Sequence, residues 1–422
     1  MSNKHPAKLT PQLRFPEFRD DPPWDSRHLG RLFLERTDTG GDGLPLLSLT
    51  DAEGLIRQED SGRRDNSNAD KSRYARVCPG DIAYNTMRMW EGRSALAHEE
   101  GLISPAYTVC TPRQGQDSDF FAHYFKTAVA IEQFRRFSQG LVKDTLNLKY
   151  DRFAKIRLYT TSPEEQRKIA ACLGSLGDWI AAEERALEAL RLHKAGLMQQ
   201  LFPRPGETRP RLRFPEFRNA ADWKPTPIDK LASIKSGGTP SKSNPHYWGG
   251  SIPWVSAKDM KTVLLDDSKS HIAQLAVDEG ARLVPAGTLL MLTRGMTLMK
   301  DVPICLLQRP MTFNQDLKAL SPRKGTRSDF LIYLLIANKP SLRSLVDIAG
   351  HGTGRLDTDK IKRLELSKPE PAEQQQIADC LAALDAHLTS QAGKLAALRQ
   401  HKHALMQQLF PSSRRAQQGS SQ

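Results

Sequence analysis

Asn244, Pro245, His246 and Tyr247 place a side-chain amide, an imidazole and a phenol within four residues. Chemistry there needs a bound cofactor, and no glycine-rich loop of the FxGxG kind lies at a plausible distance before Asn244. SGGTPS at Ser236–Ser241 and HGTG at His351–Gly354 are glycine-rich but lack the Lys-Ser/Thr pair of a phosphate-cradling loop, so they read as turns that can touch phosphate. The eleven histidines include no HxxxH or HExxH, and no pair of carboxylates with a lysine forms a nuclease constellation. The five cysteines (Cys78, Cys110, Cys172, Cys305, Cys380) are odd in number and lack CxxC spacing, which argues against a disulfide framework or a zinc site and for small buried thiols. By this reading the chain performs no chemistry by itself and holds no cofactor or metal.

The elements that would position these groups come from a duplication. Glu165–Pro203 reads EQRKIAACLGSLGDWIAAEERALEALRLHKAGLMQQLFP, and Glu373–Pro411 reads EQQQIADCLAALDAHLTSQAGKLAALRQHKHALMQQLFP, 208 residues later and without a gap. A repeat of this kind says that the protein contains two copies of one unit. In the first copy an apolar seam runs through Ile169, Leu173, Leu176, Ile180, Leu187, Leu190, Leu197 and Leu201, with Glu183 and Lys194 at polar seam positions. The second copy carries Ile377, Leu381, Leu384, Leu388, Leu395, Leu398, Leu405 and Leu409. Steps of three, four and seven over about five heptads are the signature of a coiled coil. Glu164, Glu165 and Glu373 suit the helix N-termini, and Pro203 and Pro411 end the helices. Two matched seams in one chain favour pairing with each other, antiparallel because a globular body lies between them. The two bodies would then be related by a pseudo-two-fold axis.

A second repeated run, LRFPEF, opens each half at Leu13–Phe18 and Leu212–Phe217, offset by 199 residues, so the second half is nine residues longer between landmarks. The expected organisation is a globular domain over 1–161, a helix over 162–203, a second globular domain over 204–370, a second helix over 371–411 and a disordered tail over 412–422. Residues 1–12 form a polar arm. Strand-like runs (Leu44–Thr50, Asp81–Met87, Leu283–Gly295, Thr312–Pro322) alternate with helical ones (Asp119–Phe137 and its counterpart from Asp329), giving a mixed α+β fold. The aromatic residues of Asp119–Phe137 have core spacing. The polar run from Ile56 to Val77 reads as a surface loop, and HGTGRLDTDKI at His351–Ile361 as a turn leading into a short helix.

Charge separates the parts. The formal net charge is +13, yet residues 162–203 carry −1 and residues 371–411 carry 0, and the tail holds only Arg414 and Arg415. About +12 therefore sits on the two globular segments, the footprint of a nucleic-acid binder. Composition with 39% hydrophobic and 26% charged residues is that of a globular protein. No apolar run approaches the ~20 residues of a membrane span, and the N-terminus has no signal-peptide core, so a cytoplasmic location without membrane association is expected.

Two variable basic bodies alternating with two repeated helices resemble the specificity subunit of Type I restriction–modification systems. The resemblance rests on SGGTPSKSNPHYWGGSIPWVSAKDM (Ser236–Met260), TRG (Thr293–Gly295) and TFNQDLKAL (Thr312–Leu320) in the second body. GDIAYNTMR (Gly80–Arg88) and SPAY (Ser104–Tyr107) carry it in the first, and the EQ…LMQQLFP run carries it in both helices. It implies a non-catalytic subunit whose bodies are target recognition domains, each reading half of a split sequence in double-stranded DNA. It implies helices that set the spacing and dock two methyltransferase subunits, which bind S-adenosylmethionine and methylate adenine. It also implies a motor-nuclease restriction subunit using ATP and Mg. Trp179 in the first helix corresponds to His387 in the second, so the two docking surfaces are expected to be similar but not identical.

Base readout needs Arg or Lys for guanine and Asn or Gln for adenine, and phosphate contacts need any cation. The candidates for DNA contact are Arg63, Arg64, Arg73, Asn85 and Arg88 in the first body, and Lys242, Lys258, Arg294, Asn314, Gln315 and Arg355 in the second. Two alternatives remain at this point. One is a stand-alone adenine-N6 methyltransferase using Asn244 and Tyr247, because NPHY resembles the NPPY-type signature of amino-group methyltransferases. The other is an RNA-binding scaffold protein.

Overall fold

The computed structural model describes residues 9–50, 54–348 and 352–411. The expected tail over 412–422, residues 1–8 of the expected arm, and His351 of the HGTG run lie outside the described residues. The chain divides into two compact units: one runs up to Arg185 and resumes at Gly393, and the other is Ala186–Ala392. Each contains one globular body and parts of both long helices, Pro163–Leu201 and Pro371–Leu409.

In unit 1, four antiparallel strands lie in the order Phe33–Glu35, Tyr107–Pro112, Ile82–Asn85, Ser94–Leu96. Leu47–Thr50 pairs with Gly54–Arg57, and Ala75–Val77 with Gly101–Ile103, over a small core that includes Leu47, Val77, Ala83 and Val109. The polar run from Ile56 to Val77 thus has strand residues at both ends and turns between. The helical run Asp119–Phe137 is two helices, Ser118–Tyr124 and Ala128–Phe137. The break falls at Thr127, which is extended and whose hydroxyl oxygen accepts from the Ala130 amide (3.3 Å), capping the second helix. Thr127→Ala is expected to lower stability by about 1 kcal/mol, read as a shift in urea midpoint at constant m-value. Phe120, Phe121, Phe125 and Phe134 are fully buried, as their spacing implies.

In unit 2, the main sheet runs Ala232–Ser236, Leu317–Pro322, Leu289–Leu292, Ile304–Leu307, Leu264–Leu265, antiparallel except for the last pair. Leu289–Leu292 is buried at every position, as a central strand between two partners should be. The helix Ser328–Ala337 packs into this core through Phe330, Leu331, Leu334 and Leu335. Smaller sheets hold Trp248–Val255 between Ser270–Ile272 and Thr312–Phe313, and Gly354–Leu356 between Arg294–Gly295 and Val346–Ile348. The architecture is mixed α+β.

Every residue of the two apolar seams is buried or half-buried. Within unit 1 the helices run antiparallel: Gly177 lies against Lys402, and further along Glu183 pairs with Lys394 (2.5 Å). The LRFPEF motif ties both helices to the body, and it does so identically in each unit. In unit 1 Arg14 forms a two-pronged bond with Glu165 (2.8 and 2.7 Å), and the Leu13 amide donates to the Gln408 carbonyl (3.0 Å). In unit 2 Arg213 does the same with Glu373 (2.7 and 2.7 Å), and the Leu212 amide donates to Gln200 (2.9 Å). These glutamates do more than favour the helix dipole: each is buried, with a buried arginine. The adjacent Gln166 and Gln374 are also buried, accepting from the Asp117 and Arg327 amides respectively, both at 3.0 Å. At the other helix ends, Phe410 stacks on Tyr124 (4.7 Å between centroids) and Phe202 meets Trp223 edge-on (6.0 Å).

His123, on the Ser118–Tyr124 helix, has its pKa lowered to about 4, first by burial and second by the Lys402 cation. An unfolded imidazole titrates near 6.5, so between about pH 6.5 and 4 the unfolded chain takes up a proton that the folded one refuses. The stabilisation is therefore full above about pH 6.5 and is lost as pH falls toward 4. Relative to His123→Gln, the wild-type chain is expected to lose about 3 kcal/mol over that interval, measured by denaturant unfolding at stepped pH.

Candidate nucleic-acid interface

The strongest cluster of candidate residues lies in unit 2. Arg294 and Arg355 are directly opposite one another on paired antiparallel strands, with Gly295 opposite Gly354 as the next pair. The absence of a side chain at Gly354 is required, because a Cβ there would lie 2.7 Å from the Leu298 Cβ. Residues directly opposite in an antiparallel pair share a face, and like charges so placed destabilise the pair. Lys318 joins them: its pKa is held below the usual lysine value by burial first, then by the Arg294 and Arg355 cations. The lysine ammonium donates to the Ser236 hydroxyl (2.6 Å), while Arg282 donates to the Ser236 carbonyl (2.9 Å). Among the described residues neither Arg294 nor Arg355 has an ion-pair partner, and both are exposed.

The SGGTPS run packs beside this cluster. Gly238 donates its amide to the Phe313 carbonyl (2.9 Å), and a Cβ on Gly237 would fall 2.3 Å from the Asn314 carbonyl oxygen. Only glycine lets the two backbones approach so closely. Gln315 is exposed and accepts from Thr239 (2.6 Å), whereas Asn314 is buried and closes a turn, accepting from the Asp316 amide (3.2 Å). Lys242 and Lys258 are exposed on the loops that precede and follow the strand Trp248–Val255. The structure thus brings together Arg294 and Arg355 with two cations that sequence reasoning passed over, Lys318 and Arg282. The signal for Lys318 was its position in TFNQDLKAL, two residues from Asp316 and outward-facing in an otherwise apolar strand.

In unit 1, Arg63, Arg64 and Arg73 are exposed on the polar loop and make no ion pair among the described residues. That loop is shaped by Asp65 and Asp70, which accept from the Ser67 and Ser72 amides, both at 2.8 Å. Asn85 and Arg88 occupy the turn that ends the strand Ile82–Asn85; the Asn85 side chain accepts from the Met87 amide (3.0 Å), and Arg88 approaches Glu91 (3.4 Å).

Asn244 and Tyr247 are engaged elsewhere. The Asn244 side chain accepts from the His246 amide (3.1 Å), capping the short 3-10 helix Pro245–Tyr247, and the Tyr247 hydroxyl donates to Glu279. All five cysteines are unpaired; Cys110 and Cys305 are buried and Cys78, Cys172 and Cys380 half-buried. Among the described residues no helix is long and apolar enough to cross a membrane.

Comparison with known proteins bears on the same segment. Residues 220–400 match the Type I restriction modification DNA specificity domain family. The specificity subunit of Type I restriction enzyme EcoR124I/EcoR124II from Escherichia coli is 30% identical over 166 residues, 39% of this chain and 41% of that one. The Type I restriction enzyme MjaIX specificity subunit of Methanocaldococcus jannaschii is 33% identical over 172 residues, 39% of this chain and 38% of that one. The matched part thus spans about two fifths of the length of these relatives. In fold, the chain is similar to the crystal structure of a Type-I restriction-modification system S subunit from M. genitalium, with a TM-score of 0.57 at 14% identity over 96% of this chain and 100% of that one.

Proposed function

We propose that the chain is a specificity (S) subunit of a Type I restriction–modification system and that it selects the DNA target for that system. The observation that carries this reading is the cross-strand Arg294–Arg355 pair with Lys318 beside it. Asp347 lies opposite Arg355 on its other side, but its carboxylate is held by Lys360 (2.7 Å), so two arginines kept opposite one another still carry a cost in the free state that this acid only partly offsets. A phosphate backbone or a guanine edge would remove that cost. Arg294, Arg355, Lys318 and Arg282 would contact one half of a split target, with Lys242, Lys258 and Gln315 around them. Arg63, Arg64, Arg73 and Arg88 would contact the other half.

The division of labour follows. The globular segments 1–161 and 204–370 are the recognition domains, and the helices 162–203 and 371–411 set the gap between half-sites and dock two methyltransferase subunits. The chain is the non-catalytic component: S-adenosylmethionine belongs to the methyltransferase partner, and ATP and Mg to the motor-nuclease partner. The assembly works in the cytoplasm, where its DNA is. The near-neutral charge of both helices supports a role in spacing and recruitment rather than in DNA contact.

Inserting one or two helical turns into one repeat, and mapping methylated adenines in a host that also carries the methyltransferase subunit, tests this division. The expected result is a changed gap between two unchanged half-sites. An unchanged gap, or altered half-sites, would overturn the spacing role. Methyl transfer to DNA by the purified chain alone would overturn the non-catalytic role.

A further inference from the structure

The two copies of the helix repeat treat one lysine in opposite ways. In unit 2, Lys194 donates to Oδ1 of Asp385 on the second long helix (2.5 Å). The other oxygen of that carboxylate accepts from the Tyr333 hydroxyl (2.8 Å), and the ammonium lies 5.4 Å from the centre of the Tyr333 ring. Burial, then the bond to Asp385, pushes the Tyr333 phenol well above its ordinary pKa, so it stays a donor. The cation is thus matched by a carboxylate and by the face of an aromatic ring.

At the 208-residue offset, Lys402 is the equivalent of Lys194 and Gly177 the equivalent of Asp385. Aligning Ser118-Asp119-Phe120 with Ser328-Asp329-Phe330 puts His123 where unit 2 has Tyr333. Unit 1 therefore keeps the lysine and drops both of its partners. A Cβ on Gly177 would lie 2.8 Å from the Lys402 ammonium, so the cation rests over the bare backbone where the other copy has a carboxylate. Among the described residues Lys402 has no hydrogen-bond or ion-pair partner, and Asp178 acts on it only at a distance. Burial holds its pKa below the ordinary lysine value, and the neighbouring His123 is kept neutral. An open cavity of about 390 Å³ stands at this point, walled by Ile180, Ala181 and Met406 with Lys402 at its side. Glu184 at the rim is taken by Arg399 (2.7 Å) and does not neutralise the lysine.

We propose that this cavity receives an aspartate or glutamate side chain of a methyltransferase subunit, which completes in trans the ion pair that Asp385 makes in cis. The inference rests on the reading of the long helices as docking surfaces. Charge complementarity selects a carboxylate, and the apolar walls suit the methylene groups that carry it. Unit 2 offers no such place, since Asp385 already occupies it and would repel a second carboxylate. The two docking surfaces are thus chemically unequal. Trp179 adds to the difference: it is 49% exposed beside the cavity-lining Ile180, held by its indole bond to Glu183 (3.0 Å) and by the Lys394 ammonium over its ring, where the other copy has His387. Exposed tryptophans held in one orientation are typical anchors for a partner.

Full-length wild-type chain, Gly177→Asp and Lys402→Met are to be titrated with the cognate methyltransferase subunit by calorimetry and analytical ultracentrifugation, with Gly177→Ala as the control for backbone and volume. Wild-type chain is expected to take up two copies. Gly177→Asp, which supplies the carboxylate internally, and Lys402→Met, which removes its target, are each expected to weaken one of the two steps by about 30-fold or more and leave the other unchanged. Gly177→Ala should stay within about threefold of wild type, the scale of a change that removes no charge pair. Gly177→Asp should also raise the melting temperature, which distinguishes a filled site from a misfolded one. Two unaltered steps in both variants would overturn the proposal while leaving the docking role intact. Failure of the wild-type chain to bind would overturn the docking role and the proposal with it.

Discussion

Arg213→Met is expected to destabilise unit 2 by about 3–5 kcal/mol, the cost of stranding one member of a buried ion pair. Arg213 and Glu373 have side chains only 6% and 3% exposed and meet through two parallel bonds, so removing the guanidinium leaves a carboxylate with little water to replace it. The Trp223 indole, 3.3 Å from the same carboxylate, cannot supply the missing charge. Arg213 also donates to the Ala220 and Ala221 carbonyls (2.8 and 2.9 Å), which fixes the turn after LRFPEF. The pair joins the start of the second long helix to the chain segment that enters the globular body, so its loss should loosen the body from the helix. Equilibrium urea unfolding with one probe in the helices and one in the sheet is the measurement. Coincident transitions with a loss below about 1 kcal/mol, the range of an exposed pair, would contradict this account. Replacing both partners together, Arg213→Met with Glu373→Met, should recover most of the loss, because no charge is then left buried. The same experiment on Arg14 and Glu165 should give the same pattern in unit 1.

How much of this was legible beforehand differs from element to element. The long helices, Pro163–Leu201 and Pro371–Leu409, were, because a heptad seam and terminal prolines are local signals that packing does not override. The helix run from Asp119 to Phe137 was legible as helix but not as two helices. A single threonine cap decides that, and Thr127 looks like any polar residue inside an amphipathic pattern. The Arg14–Glu165 bond spans 151 residues and has no periodicity to announce it. The one available clue was that LRFPEF and the Glu-Gln pair both recur, so an arginine and an acid are kept together twice. The candidate interface was legible as chemistry but not as geometry. Arg294 and Arg355 are candidates by residue type alone, and only the strand pairing makes them neighbours. Asn85 and Asn314 were chosen for their amides, which in the fold close turns by accepting from backbone amides two residues on. Short polar side chains serve turns and bases equally well, and sequence offers no way to tell the two uses apart. Lys402 was legible only by subtraction, once the partners of Lys194 were known.

The double variant Arg294→Ala, Arg355→Ala is expected to lower affinity for target duplex by roughly 10²- to 10³-fold at moderate salt, with the folded chain intact. Two cations released from phosphate contact account for the lower figure, and bidentate bonds to guanine for the higher. The two cases separate on the salt axis. If both side chains contact phosphates, the slope of log affinity against log salt becomes shallower by about 2, and non-target DNA loses as much affinity as target. If one reads a base, the slope changes by about 1 and discrimination at one position of the half-site collapses. Stability should stay close to wild type, because the variant removes the repulsion between Arg294 and Arg355 together with the attraction of Arg355 to Asp347 opposite it and to Asp357. The Lys318 ammonium, freed of two neighbouring cations, should titrate nearer its ordinary value, since they are the second and third causes of its depressed pKa after burial. Affinity within threefold of wild type, measured with the assembled complex on a duplex carrying its mapped target, would remove these arginines from the interface. The basic surplus of unit 2 would then have to act through Lys242 and Lys258 on the loops flanking Trp248–Val255.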